Sequence, residues 1–196
     1  LPALSQYSSC QTIVLRLSRS LMQYQEKGNL RDGLVLVGQL DDDEVLFREH
    51  GLRFAANVIA GHKTGCFLDQ RHNRKKIGAA ASGKKVLDVF AYAGGFSVHA
   101  LAGGATEVTS IDISAKALEM ARKNAALNAH RGIHHIKAVD AFAELTAMAQ
   151  RGERFDIVVI DPPSFAKQAS EVDKARQHYL RLAKLGAQVV QADGLL

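Results

Sequence analysis

Four aspartates, Asp88, Asp112, Asp140 and Asp161, each stand in or just behind a short apolar run. A carboxylate in such a place is costly to bury unless a cation or hydrogen-bond donors meet it. A single acid behind a strand often does no more than cap the next helix. Four in series point instead to a ligand that presents several donors. Asp88 interrupts Val86-Leu87-Asp88-Val89-Phe90, after which the chain passes through Ala91-Tyr92-Ala93 to Gly94-Gly95. Adjacent glycines permit backbone conformations and a close approach that a side chain would block. Asp161 opens a second motif, Asp161-Pro162-Pro163-Ser164-Phe165. Its prolines stiffen the loop and remove two N–H donors, so that carbonyls and the acid can face a polar ring. Prolines also simply terminate strands, but their place between an acid and an aromatic favours a functional role.

The elements that must position these acids follow from periodicity. After Gly83, strands are expected at residues 86–90, 106–111, 134–139 and 155–160. They alternate with helices at 95–102, 114–128, 141–150 and roughly 171–192. Four successive strand–helix units imply an α/β fold: a doubly wound, mostly parallel sheet with right-handed crossovers and helices on both faces. The four acids then share the edge formed by the carboxyl ends of the strands, where open α/β sheets bind ligands.

The first 82 residues read as a small α+β appendage, with the main domain at 83–196. An amphipathic helix is expected over 11–25, where Ile13, Leu17, Leu21 and Tyr24 recur at helical spacing. Strands are expected at 34–37, 45–49, 52–59 and 64–68, with Ala60-Gly61-His62 as a turn. Asp69 is the expected N-cap of a polar helix over 69–77, whose basic side chains are assigned to solvent. Asp41-Asp42-Asp43 lacks the alternating ligands and distal Glu of a calcium loop and reads as a solvated turn.

With 196 residues, 47% hydrophobic and 23% charged, the chain can bury a core. No apolar run approaches a membrane span and no basic-then-apolar leader is visible, so a cytoplasmic location is the default expectation. A net charge of +5 and a pI near 9.3 give weak support for a polyanionic partner. Cys10 and Cys66 have no second cysteine at ligand spacing, and the eight histidines make no metal spacing, so free thiols and no metal are expected. The chain starts at Leu1 and stops at Gly194-Leu195-Leu196, which looks like the beginning of another buried strand; a piece of a longer protein is expected.

A dinucleotide site is the obvious rival, since Asp112 follows the first strand at about the ~20-residue spacing of a ribose-binding acid. A pyrophosphate, however, needs glycines packed at the helix start as G-x-G-x-x-G, and here four other residues precede Gly94-Gly95. The further acid at Asp88 suits a cationic ligand better. An adenosyl ligand carrying an amino acid and a sulfonium meets both conditions.

At this point the chain resembles the class I S-adenosylmethionine-dependent methyltransferases. It is more closely similar to the RlmI-like large-subunit ribosomal RNA cytosine-5 methyltransferases. The segments HGLRFAANVIAGHKTGCFLDQRHNR, VLDVFAYAGGFSVHA, SIDISAKALEMARKNAALN, VDAF and FDIVVIDPPSFAK carry the likeness, in that order, over most of 48–167. The resemblance implies a Rossmann-like methyltransferase fold that uses S-adenosylmethionine to methylate RNA, ribosomal RNA above all.

It also implies roles for individual residues. Asp88, Phe90 and the backbone around Tyr92, Gly94 and Gly95 would hold the methionine portion. Asp112 would take the ribose hydroxyls, with Ile113 against the adenine. Asp140 would accept from the exocyclic amine while Ala141 and Phe142 close over the ring, and Gln70 would cap the cofactor. Asp161 is the expected catalytic residue, pointing at the base, with Pro162, Pro163 and Phe165 on the substrate, Phe165 stacking on an extruded base.

Methylation at cytosine carbon 5 needs a nucleophile at carbon 6, usually a thiolate. Neither Cys10 nor Cys66 suits that role, and in the resembling family the cysteine falls beyond the position of Leu196. Methylation of a base nitrogen, which needs no cysteine, is therefore an alternative, and an RNA-binding module without catalysis is another. A nicotinamide-dependent oxidoreductase would require tight NAD binding, which the loop does not favour.

Overall fold

The computed structural model describes residues 10–22, 30–59, 61, 65–166 and 168–196. The chain divides into two compact units, 1–47 with 54–68, and 48–53 with 69–196. Gly83 thus falls inside the second unit.

In the first unit, β1 (Ile13–Val14) pairs antiparallel with β2 (Val35–Val37). The expected helix over 11–25 is therefore replaced at its start by a strand; only α1 (Arg19–Met22) is helical, and 23–29 lie outside the described residues. The helical spacing of Ile13 and Leu17 lost to pairing with the strand at Val35–Val37, a non-local contact that periodicity does not register. Arg16 supports this arrangement by donating to Asp32 and to the carbonyls of Val58 and Gly61. A hairpin follows, β3 (Glu44–Glu49) and β4 (Leu52–Asn57), turning at His50-Gly51 as expected. Phe47 and Phe54 stack on it with ring centroids 5.5 Å apart. Of the strand expected at 64–68, residue 64 is not described and 65–68 are not extended into a strand.

The second unit contains the parallel sheet. It is built from β5 (Lys85–Val89), β6 (Glu107–Asp112), β7 (Ile133–Ala138), β8 (Phe155–Ile160) and β9 (Val190–Leu195), in the order β7-β6-β5-β8-β9. All four pairings are parallel. The strand order reverses between β5 and β8, and open α/β sheets bind ligands outside the carboxyl ends of the strands at such a reversal. The helices are α2 (Arg71–Ala80), α3 (Gly95–Ala102), α4 (Ala115–Ala126), α5 (Ala141–Gln150) and α6 (Val172–Val189). The expected helix over 171–192 ends earlier because Val190–Leu195 pairs with β8 as the fifth strand. Asp69 does not cap α2: it lies in a short 3-10 turn, Leu68–Gln70, and the N-cap residue Gln70 makes no side-chain capping bond.

Apolar residues explain the layering. Leu87, Val89, Ile111 and Val158 of the strands meet Leu145 and Met148 of α5 and Leu182, Leu185 and Val189 of α6 in one core cluster. Val86, Val108, Val98, Leu101 and Leu118 are likewise fully buried. Each such side chain contributes about 1.5–3 kcal/mol by leaving water. Because both faces of the sheet are covered, polar groups inside it must find partners from within the protein.

Candidate active site

β5 delivers Asp88 into the interior at 1% exposure. Its Oδ2 accepts from the Ser97 backbone N–H at 3.0 Å and from the Ser97 hydroxyl at 2.6 Å, both from the first turn of α3. Its Oδ1 is buried with no hydrogen-bond partner. Burial pushes the Asp88 carboxyl up to about 6; the Ser97 bonds oppose this, while the carboxylates of Asp161 and Asp112 add to it. An orphaned buried carboxylate oxygen costs on the order of 1–3 kcal/mol or more, which a cationic ligand group would recover.

The loop from β5 to α3 is held in an unusual path. Phe90 and Tyr92 have φ of 66° and 48°, the left-handed region that residues with a Cβ enter at a cost of about 1 kcal/mol each. Three bonds offset it. The Tyr92 N–H donates to Asp112 Oδ2 at 2.9 Å, the Ala91 N–H to the Ile111 carbonyl at 2.9 Å, and buried Asn124 of α4 donates to the Ala93 carbonyl at 3.0 Å. Gly94 completes the turn at φ 75°, where a Cβ would stand 2.7 Å from that of Ala121. Two strained non-glycine residues in one strand–helix loop are the kind of backbone strain that clusters at ligand sites.

Asp112, the last residue of β6, also accepts from the Ser114 N–H at 2.9 Å, so each of its oxygens is engaged once and retains lone pairs for a further donor. Ile113 beside it is 80% exposed, an apolar side chain set out from the strand end. Asp140 is exposed and caps α5 through Ala143 N–H at 2.9 Å, with Ala141 buried and Phe142 half-buried behind it. Asp161 follows β8; its backbone N–H lies 3.4 Å from the Val89 carbonyl. Gln70 Nε2 donates to Asp161 Oδ1 at 3.2 Å, and Asn73 in turn donates to Gln70 Oε1 at 2.7 Å. Burial raises the Asp161 carboxyl, as does Asp69, against the Gln70 bond and the charge of Arg74. The structure thus gathers Asp88, Asp112 and Asp161 about the β5 strand end and brings Gln70 to Asp161.

Phe165 is placed differently from the expectation of a ring free to stack on a base. Its ring lies 5.0 Å from Tyr179, 5.3 Å from His178 and 6.2 Å from Phe142, and it packs against the core cluster. In this structure it ties the Asp161–Phe165 loop to α6. Pro162 is half-buried and Pro163 exposed.

A second buried layer has no counterpart among the expectations from the sequence. Arg74, assigned to water with its helix, is 4% exposed and donates to both oxygens of Glu49, itself 3% exposed, at 2.7 and 2.6 Å. His99 Nε2 lies 3.0 Å from the same carboxylate. The Arg74 stem packs under Gly95, where a Cβ would stand 2.8 Å from its Cδ. The positive charge within Asp69 to Ile77 gave no signal of which side chain turns inward.

Residues 36–196 match the family description S-adenosylmethionine-dependent methyltransferase. This chain belongs to that family. The chain is 44% identical over 185 residues to a ribosomal RNA large subunit methyltransferase of Deinococcus radiodurans, covering 94% of this chain and 45% of that protein. It is 40% identical to ribosomal RNA large subunit methyltransferase I of Tolumonas auensis, over 85% and 42% of the two chains. The chain therefore spans about half the length of the curated relatives it matches. Among solved structures, a protein from Streptococcus mutans proposed to be a SAM-dependent methyltransferase superposes with a TM-score of 0.72 at 30% identity, over 83% of this chain and 43% of that one. The SAM-dependent methyltransferase of Agrobacterium tumefaciens superposes with a TM-score of 0.75 at 21% identity, covering 100% and 60%, and shares the fold.

The residues present fit the cofactor this family uses. A buried carboxylate with one oxygen unmatched suits an ammonium, and an acid beside an exposed aliphatic side chain suits a ribose and its base. Among the described residues no group of three or more His, Cys, Asp or Glu could hold a metal ion, and no helix is long and apolar enough to cross a membrane.

Proposed function

We propose that this chain is the cofactor-binding methyltransferase domain of an enzyme that methylates a base of large-subunit ribosomal RNA, with carbon 5 of cytosine as the favoured acceptor. S-adenosylmethionine supplies the methyl group, as an electrophile on its sulfonium. The observation that carries the reading is the convergence of Asp88, Asp112 and Asp161 on the β5 strand end, with the strained Phe90–Gly94 loop between them.

On this reading Asp88 takes the amino group with Oδ1, supported by Phe90 and by the backbone at Tyr92, Gly94 and Gly95. Asp112 takes the ribose hydroxyls with its remaining lone pairs and Ile113 lies on the adenine. Asp140 takes the exocyclic amine, with Ala141 and Phe142 beside the ring, and Gln70 borders the cofactor. Asp161 and the backbone of Pro162 and Pro163 face the base. Gln70 fixes Asp161 Oδ1 from one side, leaving Oδ2 for a donor on the nucleobase. Phe165 contributes by holding this loop on α6. The excess of positive charge, +5 overall, favours a polyanion and supports RNA as the partner.

A base nitrogen is the second reading, favoured by the Asp-Pro-Pro-Ser-Phe motif, which does not need a thiolate. Nucleoside mass spectrometry of large-subunit ribosomal RNA from cells lacking the gene separates the two. Loss of 5-methylcytidine is expected; loss of an N-methylated nucleoside instead would move the acceptor, and an unchanged nucleoside inventory would remove ribosomal RNA as the substrate.

A further inference from the structure

Asp88 does not end at Ser97. The Ser97 hydroxyl lies 2.6 Å from that of Ser110 on β6, and Ser110 Oγ lies 2.8 Å from His134 Nε2 on β7. Ser97 and Ser110 are fully buried and His134 is half-buried. The four groups form one continuous chain running through the sheet from β7 to β5.

Donor and acceptor counting fixes its direction. The Ser97 hydroxyl has one proton, and at 2.6 Å from Asp88 Oδ2 it is directed to the carboxylate. Its oxygen must then accept from Ser110, whose oxygen in turn accepts from His134 Nε2. That requires the tautomer protonated at Nε2 and bare at Nδ1, and Nδ1 is the buried His134 nitrogen with no partner. Burial, with His130 and His135 nearby, pushes the His134 ring down to about 4, so it remains a neutral imidazole.

We propose that Ser97, Ser110 and His134 are positioning residues for Asp88: a one-way buried hydrogen-bond chain that commits Oδ2 to the protein and turns Oδ1 toward the amino group of the cofactor as a charged acceptor. The inference rests on the cofactor reading above. The groups whose charge opposes ionisation of Asp88 are Asp112 at the end of β6 and Asp161 after β8, and the Ser97 bonds act against them.

The test is calorimetry of the 196-residue chain with S-adenosylhomocysteine, which keeps the amino group, from pH 5 to 8.5, in wild type and in S97A, S110A, H134Q and H134L. Wild-type affinity is expected to fall below about pH 6, where Asp88 takes a proton. S97A should move that acid limb upward by about one pH unit, S110A and H134L by less, because a hydrogen bond to a charged group stabilises the charged form. H134Q, which keeps an N–H donor, should restore the wild-type limb. At pH 8.5 all variants should bind within a few-fold of one another. Variants that weaken binding equally at every pH, or acid limbs that coincide, would overturn the proposal and leave the cofactor reading standing. Absence of binding by the wild type would overturn both. A readout without ligand is the nitrogen chemical shift of His134: a proton on Nε2 is expected, and a proton on Nδ1 would sink the chain as drawn.

Discussion

Asp112 Oδ2 accepts the backbone N–H of Tyr92 at 2.9 Å, so the acid proposed for the ribose also clamps a loop residue held at φ 48°. On the proposed reading one residue both shapes the loop and meets the ribose. Asp112→Ala should therefore weaken S-adenosylmethionine binding by about 1.5–3 kcal/mol, ten- to a hundred-fold, and also accelerate amide exchange at Tyr92. Binding lost without faster exchange would separate the two roles; affinity unchanged would move the ribose elsewhere.

Asp88→Asn should trade binding for stability. The carboxyl is raised from 3.8 to about 6 by burial first of all, so the folded state resists its ionisation. The resulting penalty is absent below the unfolded value, grows as pH rises through that window and is complete above it. It amounts to about 3 kcal/mol. The asparagine variant should melt higher than wild type at pH 8, with the gap closing toward pH 4, while its affinity for the cofactor falls at least tenfold. A variant that melts lower at pH 8 would contradict the burial argument.

Arg74 and Glu49 form a buried pair with two short bonds, and His99 shares the carboxylate. Burial alone would raise Glu49, but the Arg74 bonds hold it below the usual carboxylate range. Its contribution is thus present above the unfolded value and is lost as pH falls through the lowered one. Arg74→Ala should cost about 3–5 kcal/mol by leaving the buried Glu49 charge with His99 alone and without its cation. Glu49→Ala should cost a similar amount, and the double variant should cost much less than the two together. Urea unfolding of the three variants gives the cycle; simple additivity would deny the pairing.

Phe165 offers a choice between two roles. As an anchor packed on Phe142, His178 and Tyr179, its replacement by alanine should lower stability by about 2–4 kcal/mol. Phe165→Leu should recover most of that stability and most of the methyl transfer. If leucine restores stability but transfer stays lost, the ring acts on the base itself.

Gly94→Ala meets two obstacles together, a left-handed φ of 75° and the Ala121 methyl. The variant should lose about 1–3 kcal/mol and bind cofactor at least tenfold more weakly. Thermal melting and calorimetry check it, and a variant indistinguishable from wild type in both would show that the loop tolerates another path.

Local patterns in the sequence were enough for the alternation of strands and helices from Lys85 to Ile160, because buried parallel strands and their covering helices carry strong apolar signals. The series Asp88, Asp112, Asp140, Asp161 was legible for the same reason: once the strands are parallel, their ends must share an edge. Two things depended on chain segments distant in sequence. Ile13–Val14 became a strand because Val35–Val37 offered it a partner, and Val190–Leu195 left the end of a helix because β8 had a free edge. Direction into the core was likewise decided in three dimensions. Arg74 points inward because Glu49 waits there, Phe165 packs on α6 rather than standing free, and two serines and a histidine on three different elements line up behind Asp88. Hydrogen bonds at 2.6–3.0 Å depend on positions that no residue spacing encodes. The spacing of apolar runs sets where the acids stand, whereas the packing of distant elements sets which of their oxygens the protein itself holds, as Ser97 holds Asp88 Oδ2 and leaves Oδ1 unmatched.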